Sequence, residues 1–264
     1  MSIIGIWLRE STSKLFNIAR RPKWSGDTLS TCPGSPTLQA CSLLLMVHDW
    51  CYRVTIYHPP TSLSPALVSP KEIEARIRAV MLDVKERLAH GERAFPIGVL
   101  SGDNRDCWAD VCSTSCMKPL SLILVLYHQH LKYLLNKFPT NQNEASYNAM
   151  LHSVMGLSLD HTTYTFKPSS PESSSTHATH TRTAAQSQLD AHLHKLRSTD
   201  LNVSNRLFEK VLMLIVDPST RAGAMGEHSP CDALVPSIVA EYAIVEGVDF
   251  GCVLGYPSCH WNRR

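Results

Sequence analysis

Of the thirteen histidines in this 264-residue chain, one sits in a neighbourhood that could do chemistry. His228 lies in Gly223-Ala-Met-Gly-Glu-His-Ser-Pro-Cys-Asp232, next to Glu227 and four residues before Asp232. A carboxylate that reaches one imidazole nitrogen fixes the tautomer and stabilises the imidazolium. The other nitrogen is then free to take a proton from a hydroxyl or thiol. The plainer reading is a surface histidine beside acids, which is common. His48, His58, His90, His128, His130, His177 and His180 fall in turns, tails or helix faces and read as surface or satisfied histidines. His192 and His194 form a weak metal-like pair, because on a helix that spacing turns the two rings to different faces. No third ligand has good spacing nearby, so no metal site is expected. There is no Gly-x-Ser-x-Gly nucleophile elbow. Cys231 is too close to His228 in sequence to be aligned with it as a nucleophile.

The elements that must carry His228 follow from local pattern. Leu207 to Val216 reads as a strand, Asp217 to Arg221 as a turn and Ala222 to Glu227 as a return strand. From Asp232 onward Leu234, Ile238, Tyr242 and Val245 lie on one helical face, with Pro236 tolerated in the first turn. His228 is therefore expected at a strand end. Upstream, Tyr52 to Tyr57 reads as a strand. Ser69-Pro-Lys-Glu72 reads as a capped helix start, with Ile73, Ile77, Val80, Val84 and Leu88 at helical spacing. Gly91 ends that helix. Phe95 to Leu100 reads as a short strand and Gln142 to Gly156 as a helix. Residues 168–188 are rich in Ser, Thr and His and poor in large apolar side chains, and are expected to be disordered. Strands and helices alternate without a repeat, which points to an α/β fold with one mixed sheet flanked by helices.

Composition narrows the class further. An apolar content of 44% supports a real core, and a net charge of +2 gives no strong field for nucleic acid. Nine cysteines without a CxxC pair read as reduced thiols of an intracellular protein, the compartment left open. No stretch approaches the roughly 20 apolar residues of a membrane helix. The first 24 residues are basic and amphipathic like a transit peptide, or an ordinary surface helix or tail.

Three ordered blocks resemble the choline/carnitine acyltransferases. The segment Gly223 to Asp232 is similar to the family's catalytic-histidine signature, in its carnitine palmitoyltransferase-like form with Asp four residues on. Ser204-Asn-Arg-Leu-Phe-Glu-Lys210 resembles the family's Asn-Arg-Trp-Phe-Asp-Lys, with Leu207 for Trp and Glu209 for Asp. Pro96 to Ala109 resembles its Gly-x-Leu-Thr-x-x-x-Arg-Asp-x-Trp-Ala block, and Leu159-Asp160 its Leu-Asp pair. The resemblance implies the first of two coenzyme A-dependent acyltransferase domains. It implies reversible acyl transfer between coenzyme A and carnitine or a similar hydroxyl acceptor, with no metal and no tightly bound cofactor. His228 would be the general base and Asp232 would orient and polarise it. Arg105, Asp106 and Trp108 would be scaffold, and Asn205 and Arg206 would brace the approach to the site.

The resemblance covers roughly residues 45–110 and 131–247. On this reading residues 1–42 are a tail or linker, 43–247 a partial acyltransferase-like domain, 111–130 an atypical insertion and 248–264 a tail outside the family pattern. The resemblance implies that the family's coenzyme A- and carnitine-binding residues belong to a second domain, expected to have no counterpart here, so the cofactor-binding residues stay unassigned. The chain alone is expected to turn over negligibly, as an inactive half-fold or a binding module. The substrates implied are small molecules, acyl-coenzyme A and carnitine.

Overall fold

The computed structural model describes residues 3–30, 40–58, 66–102, 104–106, 108–109, 140–163, 184–197 and 202–246. Helix α1 (Ile3–Ser13) is followed by two short paired strands, β1 (Arg20–Arg21) and β2 (Thr28–Leu29). Then come β3 (Ser42–Val47), β4 (Trp50–Thr55), α2 (Pro70–Ala89), α3 (Ile97–Ser101), α4 (Thr140–His152) and β5 (Gly156–Leu159). The chain continues through α5 (Ala184–Arg197), a 3-10 turn (Val203–Asn205), β6 (Met213–Val216), β7 (Ala222–Met225) and α6 (Leu234–Glu246). The main sheet is mixed, in the order β4-β3-β5-β6-β7. Strands β3, β5 and β6 run parallel, and β4 and β7 pair antiparallel at the two edges. The expected α/β class with one mixed sheet flanked by helices is the observed one.

Strand β3 is buried along its whole length, and its period of two divides the core. Leu43, Leu45 and Val47 pack with Val54 and with Val84 of α2. Leu44 and Met46 pack on the other face with Met150, Leu207 and Met213. Helix α2 forms as its start signal predicts: Ser69 Oγ accepts from Glu72 N at 3.2 Å, and Ile77, Val80, Val84 and Leu88 face the sheet.

Several expectations change. The strand expected over Tyr52 to Tyr57 is the second arm of a hairpin and spans Trp50–Thr55, because His48 and Asp49 both take positive φ (47° and 71°) and close a two-residue turn after β3. Phe95 to Leu100 contributes a helix, not a strand. A short apolar run is ambiguous by periodicity; Gly98 within it lets the crossing segment approach, since a β-carbon there would lie 2.2 Å from the Ser204 carbonyl oxygen and 2.4 Å from that of Arg206. The helix begun near Gln142 stops at His152, and Gly156 already belongs to β5. Only Met213–Val216 of the expected Leu207–Val216 strand is extended. Helix α5 starts at Ala184, inside the tract expected to be disordered. Residues 3–30 are not a free tail: Leu15 packs with Val211, Leu212, Cys231 and Val235, and Ala19 is fully buried. Helix α6 buries Val235, while Leu234, Ile238, Tyr242 and Val245 are 54%, 40%, 63% and 76% exposed. The expected apolar stripe therefore faces away from this sheet. Residues 111–130, expected to be an insertion, the 168–183 part of the Ser/Thr/His tract, and residues 248–264, expected to be a tail, lie outside the described residues. No helix of the described residues is long and apolar enough to cross a membrane.

Across the carboxyl ends of β5 and β6 lies a buried polar layer. Arg206 Nη1 and Nη2 grip Asp160 Oδ1 and Oδ2 at 2.7 and 2.9 Å, with neither side chain exposed. The same guanidinium donates to Ser158 Oγ and to the carbonyls of Lys195, Leu196 and Asn205. Lys195 Nζ donates to Asp217 Oδ2 at 2.9 Å and to the Thr162 carbonyl. Burial works against the Asp217 anion, but bonds from Ser219 and Lys195 outweigh it and bring its carboxyl down to about 2. Removing one partner of a buried, satisfied ion pair leaves the other charge stranded. We predict that Arg206→Met lowers unfolding free energy by about 3–5 kcal/mol, read from the urea midpoint. Adding Asp160→Leu to it should cost less than the sum of the two single changes, the signature of direct coupling.

Candidate active site

Residues 202–210 cross one face of the sheet from edge to edge and explain the Asn-Arg-Leu-Phe-Glu-Lys spacing. Asn205 Nδ2 lies within bonding distance of the Met46 carbonyl, Ser158 Oγ and the Leu159 carbonyl. Arg206 anchors the carboxyl edge, and Leu207 fills the core between. Lys210 anchors the amino edge: its Nζ donates to the Leu151 carbonyl at 2.8 Å and also reaches those of Met150 and Ser153. These are orphan carbonyls at the end of α4, where a cation is favoured. Ser101 ties the Pro96–Ala109 block to the same segment, accepting from Phe208 N at 3.1 Å. Two of the three sequence blocks thus dock directly on each other.

His228 follows β7. Because β7 runs antiparallel, with Met225 opposite Met213, His228 lies at the amino edge of β5 and β6, away from the Arg206–Asp160 layer. Gly226 is needed here: a β-carbon would lie 2.0 Å from the Val211 carbonyl oxygen. That approach accompanies the Glu227 N–H bond to the Lys210 carbonyl at 3.0 Å, which seats the motif on the crossing segment. The imidazole is exposed, and its Nδ1 is 3.2 Å from the Cys231 carbonyl oxygen. A carbonyl only accepts, so Nδ1 carries the proton and Nε2 presents its lone pair. The Cys231 carbonyl, then the histidine's own carbonyl, with smaller help from Asp232 and Glu227, raises the imidazole above its ordinary value.

The structure brings together His228, Glu227 and Asp232, but the two acids are used differently from the expectation. Asp232 Oδ1 accepts from Leu234 N at 2.8 Å and secures the first turn of α6. It acts on His228 as a nearby charge, not through a hydrogen bond. Glu227 Oε1 accepts from the Ser229 N–H and hydroxyl, and its other oxygen faces Arg20 Nε at 3.4 Å. The Cys231 thiol is buried and its pKa is raised by that burial, so only its carbonyl meets the histidine.

Sequence reading missed the amino-terminal contribution. Arg20 bridges Glu227 to Asp27, whose other oxygen takes Arg105 Nε at 3.0 Å. Arg105 therefore pairs with Asp27 and not with its neighbour Asp106, which uses its N–H on Asn104 Oδ1. Trp108 is buried edge-on against Tyr147, ring centres 5.9 Å apart. Glu209 was read only as a stand-in for Asp. It is fully buried, and burial pushes its carboxyl up to about 8, against opposing pulls that include Arg20 and Trp108. A cavity of about 680 Å³ opens beside this network, lined in part by Arg20, Arg197, Phe208 and Gly226.

The choline/carnitine O-acyltransferase family model matches residues 3–119 and 127–254. The chain belongs to the choline/carnitine O-acyltransferase family. The match takes in residues 3–42, upstream of the blocks that carry the sequence resemblance, in keeping with the packing of Leu15, Ala19 and Arg20. No match was found among curated proteins. The family's chemistry is choline/carnitine O-acyl transfer, with coenzyme A or acyl-coenzyme A as co-substrate.

Glu209 makes stability depend on pH in a definite sense. The unfolded chain releases this proton near its ordinary value of 4.5, and the folded chain holds it to about 8. Between those values the native state binds more protons, so its contribution is complete below 4.5 and lost as pH rises through 8. At ~1.4 kcal/mol per pK unit the loss is on the order of 5 kcal/mol. We predict that Glu209→Gln is about as stable as the parent at pH 5 and markedly more stable at pH 8, measured by chemical denaturation at both.

Proposed function

We propose that the chain supports reversible acyl transfer between coenzyme A and carnitine, or a similar hydroxyl acceptor, with His228 as general base. The observation that carries this reading is the His228 ring itself. Its Nδ1 is engaged by the Cys231 carbonyl, and the ring stands exposed at the end of a glycine-bearing strand. Nε2 would take the proton from the carnitine hydroxyl as the oxygen attacks the thioester carbonyl. The same proton would return to the departing thiolate of coenzyme A. In the reverse direction the thiol is deprotonated and the carnitine oxygen leaves. Asp232 and Glu227 would favour the imidazolium that forms between these steps, both by charge. A positioned base contributes about 10²- to 10⁴-fold, while most of the remaining advantage in acyl transfer comes from orientation and oxyanion stabilisation.

A second reading has its own observation. The four-residue apolar face of α6 is exposed, as a half-fold needing a covering partner would leave it. On that reading the chain keeps the scaffold without turnover of its own. Acyl exchange between acyl-coenzyme A and carnitine, followed by thiol release, separates the two. The first reading expects turnover by the 264-residue chain that falls at least 100-fold in His228→Ala and by a smaller factor in Asp232→Asn, where only a nearby charge is lost. Turnover at background in both parent and His228→Ala leaves the second reading standing, and turnover unchanged by His228→Ala removes the base assignment.

A further inference from the structure

The two residues that flank His228 are joined to each other. Glu227 Oε1 accepts from the Ser229 N–H at 3.1 Å and from the Ser229 hydroxyl at 2.8 Å, so one carboxylate oxygen spans the histidine between them. The other oxygen faces Arg20 Nε at 3.4 Å. That nitrogen is buried and makes no hydrogen bond among the described residues, so the attraction is one of charge. The Arg20 and Glu227 side chains keep 23% and 17% of their exposure, which limits screening by salt. Arg20 does not depend on Glu227 for its place. Its N–H donates to the Glu209 carbonyl at 2.9 Å, its Nη1 donates to Asp27 Oδ2 at 3.2 Å, and it pairs with Leu29 between β1 and β2. Next to it, Ala19 N donates to Ser30 Oγ, and Ser30 N donates back to the Ala19 carbonyl, both at 2.8 Å. The carboxylate beside the imidazole is thus tied to a segment that is fixed without it.

We propose that Glu227 and Arg20 are positioning residues for His228: the Glu227 carboxylate, held by Arg20, splints the chain on either side of the imidazole and so keeps Nδ1 on the Cys231 carbonyl. The meaning of this splint for acyl transfer rests on His228 being the base; the splint itself does not. The contact between Nδ1 and the Cys231 carbonyl, at 3.2 Å, depends on the course of the chain from Glu227 to Cys231. The backbone end of that course is set by the Glu227 N–H bond to the Lys210 carbonyl, and the side-chain end by Ser229 and Arg20. A ring released from the Cys231 carbonyl exchanges between its two tautomers. The form with the proton on Nε2 has no lone pair there to accept another. Position and charge separate cleanly in this arrangement. Through-space charge acts on the ring in opposite senses when an anion and when a cation is removed. A shared splint fails in the same sense whichever end is cut.

The test is nitrogen NMR of the full chain with isotope-labelled histidine at about pH 9, well above the ordinary imidazole value. The His228 signals are assigned by their loss in His228→Ala, and the shifts of the two ring nitrogens report the tautomer directly. In the parent Nδ1 should be the protonated nitrogen and Nε2 the bare one. Glu227→Ala and Arg20→Met should both move the tautomer ratio toward the Nε2–H form, by about two- to tenfold, the worth of one hydrogen bond. Ser229→Ala, an exposed change that deletes one of the two bonds to Glu227, should move it the same way by less. A ratio unchanged in Glu227→Ala, or opposite changes in Glu227→Ala and Arg20→Met, overturns the splint. Should Arg20→Met fail to fold, Glu227→Ala and Ser229→Ala decide: the graded shift supports the splint and the parent ratio in both overturns it. None of these outcomes depends on turnover, so failure of the splint and failure of the base assignment are read in different experiments.

Discussion

The fork between Arg206 and Asp160 decides whether the segment that carries the motif can lie across the sheet at all. Asp160 follows β5, Arg206 follows a 3-10 turn, and forty-odd residues separate them. A dehydrated carboxylate at the end of a parallel strand is tolerable only when its charge is matched and its lone pairs are filled. Arg206 does both in one plane and passes its remaining donors to the carbonyls at the end of α5. With that end fixed, Leu207 drops into the core and Lys210 arrives over the carbonyls that end α4. The Lys210 carbonyl then receives Glu227, and His228 is set one residue on. A contact at one edge of the sheet thus determines the position of an imidazole at the other. The coupling is mechanical: it travels through a short, largely buried stretch of chain pinned at both ends.

Features governed by neighbours in sequence were readable from the residues alone. The Ser69 cap and the stripe of α2 follow from spacing of three and four. The Asp217–Arg221 reversal and the return strand are also local, because β6 and β7 pair across that turn. The misreadings share a cause, which is that distant backbone decided the outcome. Nothing near Gly98 announces that the Ser204 and Arg206 carbonyls will press on it. His48-Asp49 closes a hairpin without the Asn-Gly pair that signals one. Arg20 looked like part of a basic leader because Asp27, Glu227 and the Glu209 backbone, which give it its place, are spread over two hundred residues.

The same distinction separates residue type from residue role at the site. His228, Glu227 and Asp232 were legible as a group from their spacing between a predicted strand and a predicted helix. Which group orients the ring was not legible. The turn after β7 is tight enough to bring the Cys231 carbonyl onto Nδ1, while the nascent α6 helix claims Asp232 through Leu234 N. The free N–H groups of a first helical turn compete for any nearby carboxylate, and here they prevail.

That allocation has a chemical consequence. A carboxylate bonded directly to Nδ1 would stabilise the imidazolium strongly and make Nε2 a stronger but less readily freed base. A neutral carbonyl selects the same tautomer with a weaker pull on the proton. Asp232 and Glu227 then add charge without a hydrogen bond to the ring, Glu227 while it faces Arg20. A histidine whose unperturbed value already lies near neutral pH needs little adjustment to shuttle a proton between an alcohol and a thiol. What it needs is a fixed ring, and backbone supplies that without a second titrating group in hydrogen-bond contact. The acids next to His228 are in this view committed first to the fold, one to a helix start and one to Arg20. Their effect on the imidazole follows from where those structural duties leave them.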